Sequence, residues 1–406
     1  IALGPRLFQR GEYLDGMVYA TISRNLAAGI GSAWLPHYTD YVHPVFHEHP
    51  PLGIILESLA FRLCGDHFWV EKAFGLALLI VSLCLMRAVW CKTSKSELRQ
   101  AWWLPALVWL LMPHCTWMHA NAMLEAHVAL FALATVLLLI HAEDSTPRRR
   151  AVLVVAAAAT LVCGFLAKGP LALFPLAWPC VSIASRAAIG RRAYTTLALI
   201  AAFCVLLGAL MLFDPIRHNL NEYFRQQLGA SLLGRRGERE GVPMHLAVAL
   251  VKQLAIGGAV VALLIAIPRW RSLATWRSNQ FRAFLLLALC GSVPLVLSPR
   301  FSTHYIDGSL PFFAIAIAAC CASPIATLGS NLFRRASVRK TLNITLPIAV
   351  AVAVIISVCL RGYQLRDRKI LAELDAIAAV VPRGSVIGAD AQFANDWVRH
   401  AFLARY

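Results

Sequence analysis

Long, nearly uninterrupted apolar runs constrain the fold of this chain more than any other feature. They recur between residues 73 and 360, and each is rich in Leu and Ala. A helix of about 20 apolar residues crosses the hydrocarbon core of a bilayer, and backbone polar groups in that core must pair within the helix. We therefore predict an all-α polytopic membrane protein with about ten spans, at 73–91, 101–118, 122–140, 151–167, 171–185, 193–213, 245–267, 283–297, 304–322 and 341–360.

The composition supports this class of protein. Hydrophobic residues make up 59% of the 406 residues and charged residues 15%, with a mean hydropathy of +0.64. The formal net charge of +17 comes largely from Lys and Arg that are concentrated in short loops between the apolar runs. This is the positive-inside pattern of membrane proteins, so we do not expect nucleic acid as a partner.

The distribution of basic loops also assigns a side to every other loop. Five loops are basic, at 92–99, 148–150, 186–192, 269–282 and 334–340. When these five loops are placed in the cytoplasm, the remaining loops all lie on the opposite, outer face. These outer segments are 1–72, 113–121, 168–170, 214–244, 298–303 and 361–406.

Three regions follow from this arrangement. Residues 1–51 form a long first outer loop, which is rich in acids and histidines, and residues 52–360 form the transmembrane bundle, with a helix at 52–64 that lies along the interface. Residues 361–406 read as the start of a truncated outer α/β domain. Its predicted elements are helices at 370–381 and 391–404 and a strand at 385–389. We also expect a first transmembrane helix to precede Ile1, because Ile1–Gly4 resembles the end of an apolar segment.

Two carboxylates on the outer face are candidates for chemistry. Asp15 begins a helical pattern in the first loop, and the alternative role for it is that of a helix cap or a solvated acid. Glu125 lies at the outer end of an apolar span, where carboxylates are rare unless they serve a function. The alternative for Glu125 is an interfacial carboxylate that faces water.

Cations on the outer face suggest an anionic partner. Lys168 occupies the short turn Lys168-Gly169-Pro170, against the usual orientation of basic residues. A phosphate would explain its position, and snorkelling of the side chain to the interface is the alternative. The loop 214–243 is dense in arginine, and it suits either an anionic partner or a solvated surface.

Histidines in the first loop raise the question of a metal. His47 and Glu48 are the candidate ligands, with a further ligand needed from another loop. On an extended segment their side chains would point to alternate faces. The same residues are therefore also consistent with an ordinary polar loop.

Several motifs in chain order resemble one family. Asp15, Tyr19-Ala20 and His49-Pro50-Pro51-Leu52 in the first loop are followed by Met123-Leu124-Glu125, Lys168-Gly169-Pro170 and the stretch from His304-Tyr305 to Pro311. Together they resemble the lipid-linked-sugar glycosyltransferases of the GT-C fold, namely the relatives of protein O-mannosyltransferase and lipid A aminoarabinose transferase. The chain departs from that pattern at Gly16, His49 and Glu125, where family members often have Glu, Lys and Asp.

The resemblance implies a function and a set of site residues. The implied activity is transfer of a sugar from a polyprenyl-phosphate donor to a lipid, glycan or protein acceptor, at the periplasmic face of a bacterial inner membrane. Asp15 would be the general base and Glu125 a second catalytic acid. The donor phosphate would be held by Lys168, Arg225, Arg235, Arg236, Arg300 and Tyr305. Tyr19, His49, Pro50 and Pro51 would line the substrate, and some relatives imply a divalent metal ion at Glu48 with His47.

Two other classes of protein remain open on the sequence. A transporter or flippase would carry ionisable groups in mid-span, whereas the acids here lie at the ends of spans and in loops. A non-catalytic assembly subunit of an envelope glycan pathway would explain the altered acids and Gly16. It would bind the donor lipid and transfer nothing.

Overall fold

The computed structural model describes residues 4–7, 9–182, 189–230, 242–267, 275–298, 301–333, 336–360, 366–388 and 396–406. These residues are mainly helical, and their only sheet is a two-stranded ribbon. In the first loop, α1 covers Gly4–Leu7 and α2 Leu14–Ala27. Strands β1 (Gly31–Ser32) and β2 (Leu35–Pro36) pair antiparallel, and α3 covers Leu52–Cys64.

The bundle begins after α3. Its helices are α4 (Val70–Thr93), α5 (Trp103–Leu110), α6 (Pro113–Ala120), α7 (Glu125–Glu143), α8 (Pro147–Lys168), α9 (Trp178–Val181), α10 (Ile189–Leu210), α11 (Asp214–Tyr223), α12 (Val242–Ala266), α13 (Asn279–Ser292), α14 (Leu310–Phe333) and α15 (Ala336–Cys359). Tighter 3₁₀ segments cover Ser96–Trp102, Gly169–Ala177, Val293–Leu297 and Thr303–Ser309. The tail adds α16 (Arg368–Ala378) and α17 (Trp397–Arg405).

Seven helical stretches are long and apolar enough to cross a membrane, among the residues that the structure describes. They are Val70–Thr93, Glu125–Glu143, Pro147–Val181, Gly190–Leu210, Val242–Ala266, Asn279–Leu297 and Thr303–Gly329, and a shorter apolar helix covers Asn343–Cys359. The protein is therefore an integral membrane protein, as its apolar runs predicted.

Two of the predicted spans have a different form in the structure. The span expected at 101–118 is divided between α5 and α6, because Met112 precedes Pro113 and adopts an extended backbone. The span expected at 171–185 begins as the 3₁₀ segment Gly169–Ala177 and continues into α9, with Pro175 inside the 3₁₀ segment.

Helices α7 and α8 form the centre of the bundle. The two helices contact each other along their length and carry small residues that are almost completely buried, including Ala129, Ala132, Ala157 and Ala158. Small residues let neighbouring helix backbones approach closely. The pair of helices fixes the N-terminus of α7 beside the C-terminus of α8. Glu125 and Lys168 lie at those two ends.

The first loop and the tail pack together on the bundle. Helix α2 contacts α3 and α17, and the buried side chains of Met17, Tyr19 and Ile22 share a core with Leu371 and Phe402 of the tail. The strand predicted at 385–389 does not form over 385–388, and Ala389 lies outside the described residues. A strand needs a partner, and the described part of the tail offers none.

Candidate active site

Lys168 is the centre of the candidate site. It is the last residue of α8, which ends there because Gly169 adopts a positive φ of 76°. The Lys168 Nζ atom lies 3.2 Å from Glu125 Oε1 and 3.2 Å from His49 Nε2, and it donates a hydrogen bond of 3.1 Å to the hydroxyl of Tyr19. The Lys168 side chain is 2% exposed, which rules out the snorkelling alternative.

Glu125 is the buried partner of Lys168. It is the first residue of α7, and its side chain is 1% exposed, so it is not an interfacial carboxylate that faces water. Its Oε2 atom has no hydrogen-bond donor among the described residues. A buried carboxylate is strongly destabilising without a cation, and Lys168 supplies that cation.

Asp15 lies at the open side of the same cluster. It is in the first turn of α2, but the N-cap position belongs to Tyr13, and no side chain caps this helix. The Asp15 side chain is 39% exposed, and its Oδ2 atom is 3.9 Å from His304 Nε2. Burial raises the pKa of Asp15, and the nearby charges of Lys168 and His304 oppose that rise.

His304 joins the two acids. Its Nε2 atom is 3.7 Å from Glu125 Oε1 as well as 3.9 Å from Asp15 Oδ2. The imidazole stacks on Trp117 with ring centroids 5.9 Å apart, and Tyr13 meets it edge-on at 6.1 Å. The sequence pointed to His304 only as part of a motif, since a single histidine beside an apolar run carries no signal of its partners.

The predicted substrate-loop residues lie close to Lys168 or to one another. His49 and Tyr19 both contact Lys168, and their rings meet edge-on with centroids 5.7 Å apart. Pro50 and Pro51 are buried just before α3, and Pro51 occupies its N-cap position. Two consecutive prolines restrict the backbone, which holds His49 at a defined place beside the cluster.

The predicted phosphate-binding residues are not all brought together. Tyr305 lies next to His304, with ring centroids 5.0 Å apart. Arg225 is 79% exposed and pairs with Glu222 at 3.3 Å, so in this structure its side chain is engaged on the surface. Arg235, Arg236 and Arg300 lie outside the described residues.

The proposed metal ligands do not converge on one point. The ring of His47 lies edge-on to His218, with centroids 5.9 Å apart and its Nδ1 atom 3.4 Å from Asn219 Nδ2, and burial lowers the His47 pKa. Glu48 instead accepts a hydrogen bond of 3.1 Å from Gln227. Across the described ranges, no group of three or more His, Cys, Asp or Glu side chains has the geometry of a metal site. These residues do not fit a metal as they stand, so we derive no step through one.

Comparison with known proteins identifies the class of fold. The helical bundle with its long first loop is of the GT-C type, which confirms the predicted fold class. Solved structures with this fold include ArnT from Cupriavidus metallidurans bound to undecaprenyl phosphate, with a TM-score of 0.59 and 16% identity over 99% of this chain and 72% of that chain. The apo state of the same protein gives a TM-score of 0.55 and 15% identity, over 100% and 73% of the two chains. No family model and no curated protein matches the sequence.

Proposed function

We propose that this protein is a glycosyltransferase that uses a polyprenyl-phosphate-linked sugar at the outer face of a membrane. The observation that carries the proposal is the cluster in which Lys168, Glu125, His304 and Asp15 meet at the outer ends of α7 and α8. The shared fold with ArnT, whose crystal structure holds undecaprenyl phosphate, supports this class of donor. A lipid-linked donor also suits a buried cation beside apolar helices.

In this proposal Asp15 is the general base. A partly exposed carboxylate can reach a hydroxyl group of an acceptor and take its proton as the oxygen attacks the sugar carbon. The bond from that carbon to the phosphate oxygen breaks, and the lipid phosphate leaves with the electron pair. The transition state resembles an oxocarbenium ion, and the resemblance implies inversion at the sugar carbon.

Lys168 stabilises the leaving phosphate in the same scheme. A preorganised cation at the point where negative charge grows lowers the barrier without reorganisation. Glu125 fixes the position of Lys168, and its unpaired Oε2 atom is available to a donor group of the substrate. Tyr19 and His49 complete the lining around the ammonium.

The acceptor is proposed to be a lipid, a glycan or a protein. The site is proposed to lie at the periplasmic face of a bacterial inner membrane. The basic loops support this sidedness: if they lie in the cytoplasm, then Asp15, Glu125 and Lys168 lie on the opposite face. Transport is disfavoured by position, because Glu125 lies in the first turn of α7 rather than at mid-span. Asp307 is also fully buried, but it precedes α14.

The direct test measures transfer in membranes that contain the protein. Radiolabelled undecaprenyl-phosphate sugars would be supplied, and the label gained by lipids, glycans and proteins would be counted. We expect Asp15→Asn to lower transfer by at least about 100-fold, the scale of a lost general base. Asp40→Asn is the matched control, since Asp40 lies in the same loop with a side chain that is 94% exposed. Normal transfer by Asp15→Asn would remove Asp15 from the mechanism.

A further inference from the structure

A second polar pair lies beside the candidate site and has no part in the scheme above. His114, on α6, places its Nδ1 atom 2.7 Å from Oδ1 of Asp307. Asp307 is fully buried, whereas the His114 side chain is 20% exposed. A buried carboxylate at the edge of a membrane bundle is costly, so a pair of this kind calls for a function.

The pair is connected to Asp15 through a stack of rings. His114 packs on Trp117 with centroids 5.4 Å apart, and Trp117 in turn stacks on His304 at 5.9 Å. His304 reaches Asp15. His114 therefore lies two ring contacts from the group that contacts the proposed base.

His114 is held in one orientation. Its backbone N–H donates a hydrogen bond of 2.9 Å to the side chain of Gln253 on α12, and Pro113 fixes the backbone before it. The Asp307 carboxylate accepts the proton on Nδ1, so Nε2 is the ring nitrogen that is left to pair with a hydroxyl group of a ligand. No side chain in the described part of the chain satisfies that nitrogen.

The geometry of the proposed displacement at the sugar carbon indicates which substrate approaches the side of the site where His114 lies. The leaving phosphate and the attacking oxygen lie roughly on opposite sides of the sugar carbon, and Lys168 marks the phosphate side in the proposed function. The acceptor must reach Asp15 from elsewhere. Trp117 and Tyr13 are partly exposed, and aromatic edges of this kind pack well against the C–H groups of sugars.

We propose that His114, positioned by Asp307, is a binding residue for a polyhydroxyl acceptor. This inference rests on the proposed function and names the substrate class on the acceptor side. The Nε2 atom of His114 forms a hydrogen bond with a hydroxyl group of the acceptor, next to the hydroxyl that Asp15 deprotonates. His114 moves no proton, and it contributes to acceptor affinity and not to the chemical step.

Two substitutions separate the two nitrogen atoms of His114. The amide of Asn matches the position of Nδ1, so His114→Asn keeps a donor for Asp307 and loses the outer polar group. The amide of Gln reaches the position of Nε2, so His114→Gln restores a polar group there and gives up the hydrogen bond to Asp307. Thr116→Ala is the control on the same helix, because the Thr116 hydroxyl donates a hydrogen bond to the carbonyl of Pro113 within α6.

The test titrates an envelope extract as acceptor at a fixed concentration of radiolabelled undecaprenyl-phosphate sugar. We expect His114→Asn to raise the amount of extract needed for half-maximal transfer about tenfold, the effect of one hydrogen bond. The maximal rate and the affinity for undecaprenyl phosphate should stay unchanged. His114→Gln should recover part of the loss, because it restores the outer polar group without the bond to Asp307, and Thr116→Ala should behave as the wild type. An unchanged titration curve for His114→Asn, or an equal loss of affinity for undecaprenyl phosphate, would overturn the proposal.

A second measurement separates this inference from the proposed function. Short alkyl glycosides carry sugar hydroxyls and no phosphate, and their effect on the melting temperature needs no transfer activity. We expect them to stabilise the wild type and His114→Gln more than His114→Asn. The wild type could transfer no label and still be stabilised by alkyl glycosides more than His114→Asn. That result would support the hydroxyl-binding site and overturn the transferase proposal. Equal stabilisation of all three proteins would overturn the site.

Discussion

Gly16 shows how one residue sets the position of the proposed base. A Cβ atom at Gly16 would lie 1.7 Å from the backbone oxygen of Asn121, in the turn before α7. Asn121 also accepts a hydrogen bond of 2.7 Å from the backbone N–H of Tyr13 through its side chain. Any side chain at position 16 would push α2, and with it Asp15, away from Glu125. The departure from the family pattern at Gly16 is thus a packing requirement, and it gives no support to a non-catalytic role.

Gly16→Ala should therefore lower the rate of sugar transfer because it displaces Asp15. We expect destabilisation of about 1–3 kcal/mol, the range for overpacking, and a fall in transfer larger than this loss of folded protein explains. The measurement is the melting temperature beside the transfer rate. Gly208→Ala is the control, because a Cβ atom on this helical glycine meets nothing within 4 Å. Full activity in Gly16→Ala would show that the close approach is unnecessary.

Individual site residues could be predicted from the sequence, but their contacts could not. Lys168 and Glu125 were identified separately, because a cation or an acid at the outer end of an apolar run is costly and needs an explanation. Their salt bridge depends on the packing of α7 on α8, and the sequence gives no register for that packing. The link from His304 to Asp15 joins residues nearly 300 positions apart. No local pattern encodes such a contact.

At the scale of elements, α17 secures the helix that carries Asp15. Arg405 of α17 is almost fully buried and donates to Asp66 Oδ1 at 2.9 Å and to Glu71 Oε2 at 2.9 Å. Its carbonyl oxygen accepts from Arg24 of α2 at 3.1 Å. Phe402 packs in the same core as Met17. The tail therefore forms part of the support for the first loop.

Arg405→Met should release this support. Removing one partner of a buried ion pair leaves the acids uncompensated, which costs about 3 kcal/mol. We expect a lower melting temperature and faster proteolysis of the tail. Arg399→Met is the control, because Arg399 in the same helix pairs with Glu373 and Asp396 at a more exposed site. An equal loss of stability in the two variants would show that the buried ion pairs of Arg405 contribute no more than the exposed pairs of Arg399.

A buried acid between α2 and α3 makes stability depend on pH. Glu57 on α3 is 3% exposed, and burial raises its pKa from 4.5 to about 8, although a hydrogen bond from Ser23 opposes the rise. In this window the folded state binds more protons than the unfolded state, so stability is lost as the pH rises from about 4.5 to 8. The slope from one such group is at most about 1.4 kcal/mol per pH unit.

Glu57→Gln should reduce the dependence of stability on pH in this range. The amide keeps the shape of the protonated acid and cannot ionise, so the melting temperature of the variant should fall less between pH 5 and pH 9. Its stability should exceed that of the wild type at the alkaline end. Parallel profiles for the two proteins would mean that Glu57 stays ionised or that another group dominates.

The elements themselves were only partly predictable. The apolar length of each run predicted the long helices, because that length is what a bilayer requires. The break before Pro113 is a local backbone effect that the apolar pattern of 101–118 concealed. The amphipathic pattern of the tail predicted its helices. The packing of the tail on α2 depends on Arg405 and Phe402, which contact residues from the other end of the chain.

At the scale of the whole molecule, the site combines the membrane bundle with the first loop. Lys168 and Glu125 come from α8 and α7, whereas Asp15 and Tyr19 come from the loop helix α2. A ligand that contacts both parts must stabilise their association. Because such a ligand binds the folded state alone, it raises stability by about 2.7 kcal/mol at a concentration of 100 times Kd.

Undecaprenyl phosphate should therefore raise the melting temperature of the wild type and not that of a folded variant without the Lys168 ammonium. Without ligand, Lys168 is balanced by Glu125, so Lys168→Met alone would leave a buried carboxylate and unfold part of the site. The double variant Lys168→Met with Glu125→Gln removes both charges and is the matched background. We expect the double variant to fold with a melting temperature near that of the wild type and to show no shift with undecaprenyl phosphate. Undecaprenol, which lacks the phosphate, should shift neither protein. A full shift in the double variant would place the phosphate away from Lys168 and would remove Lys168 from the proposed stabilisation of the leaving phosphate.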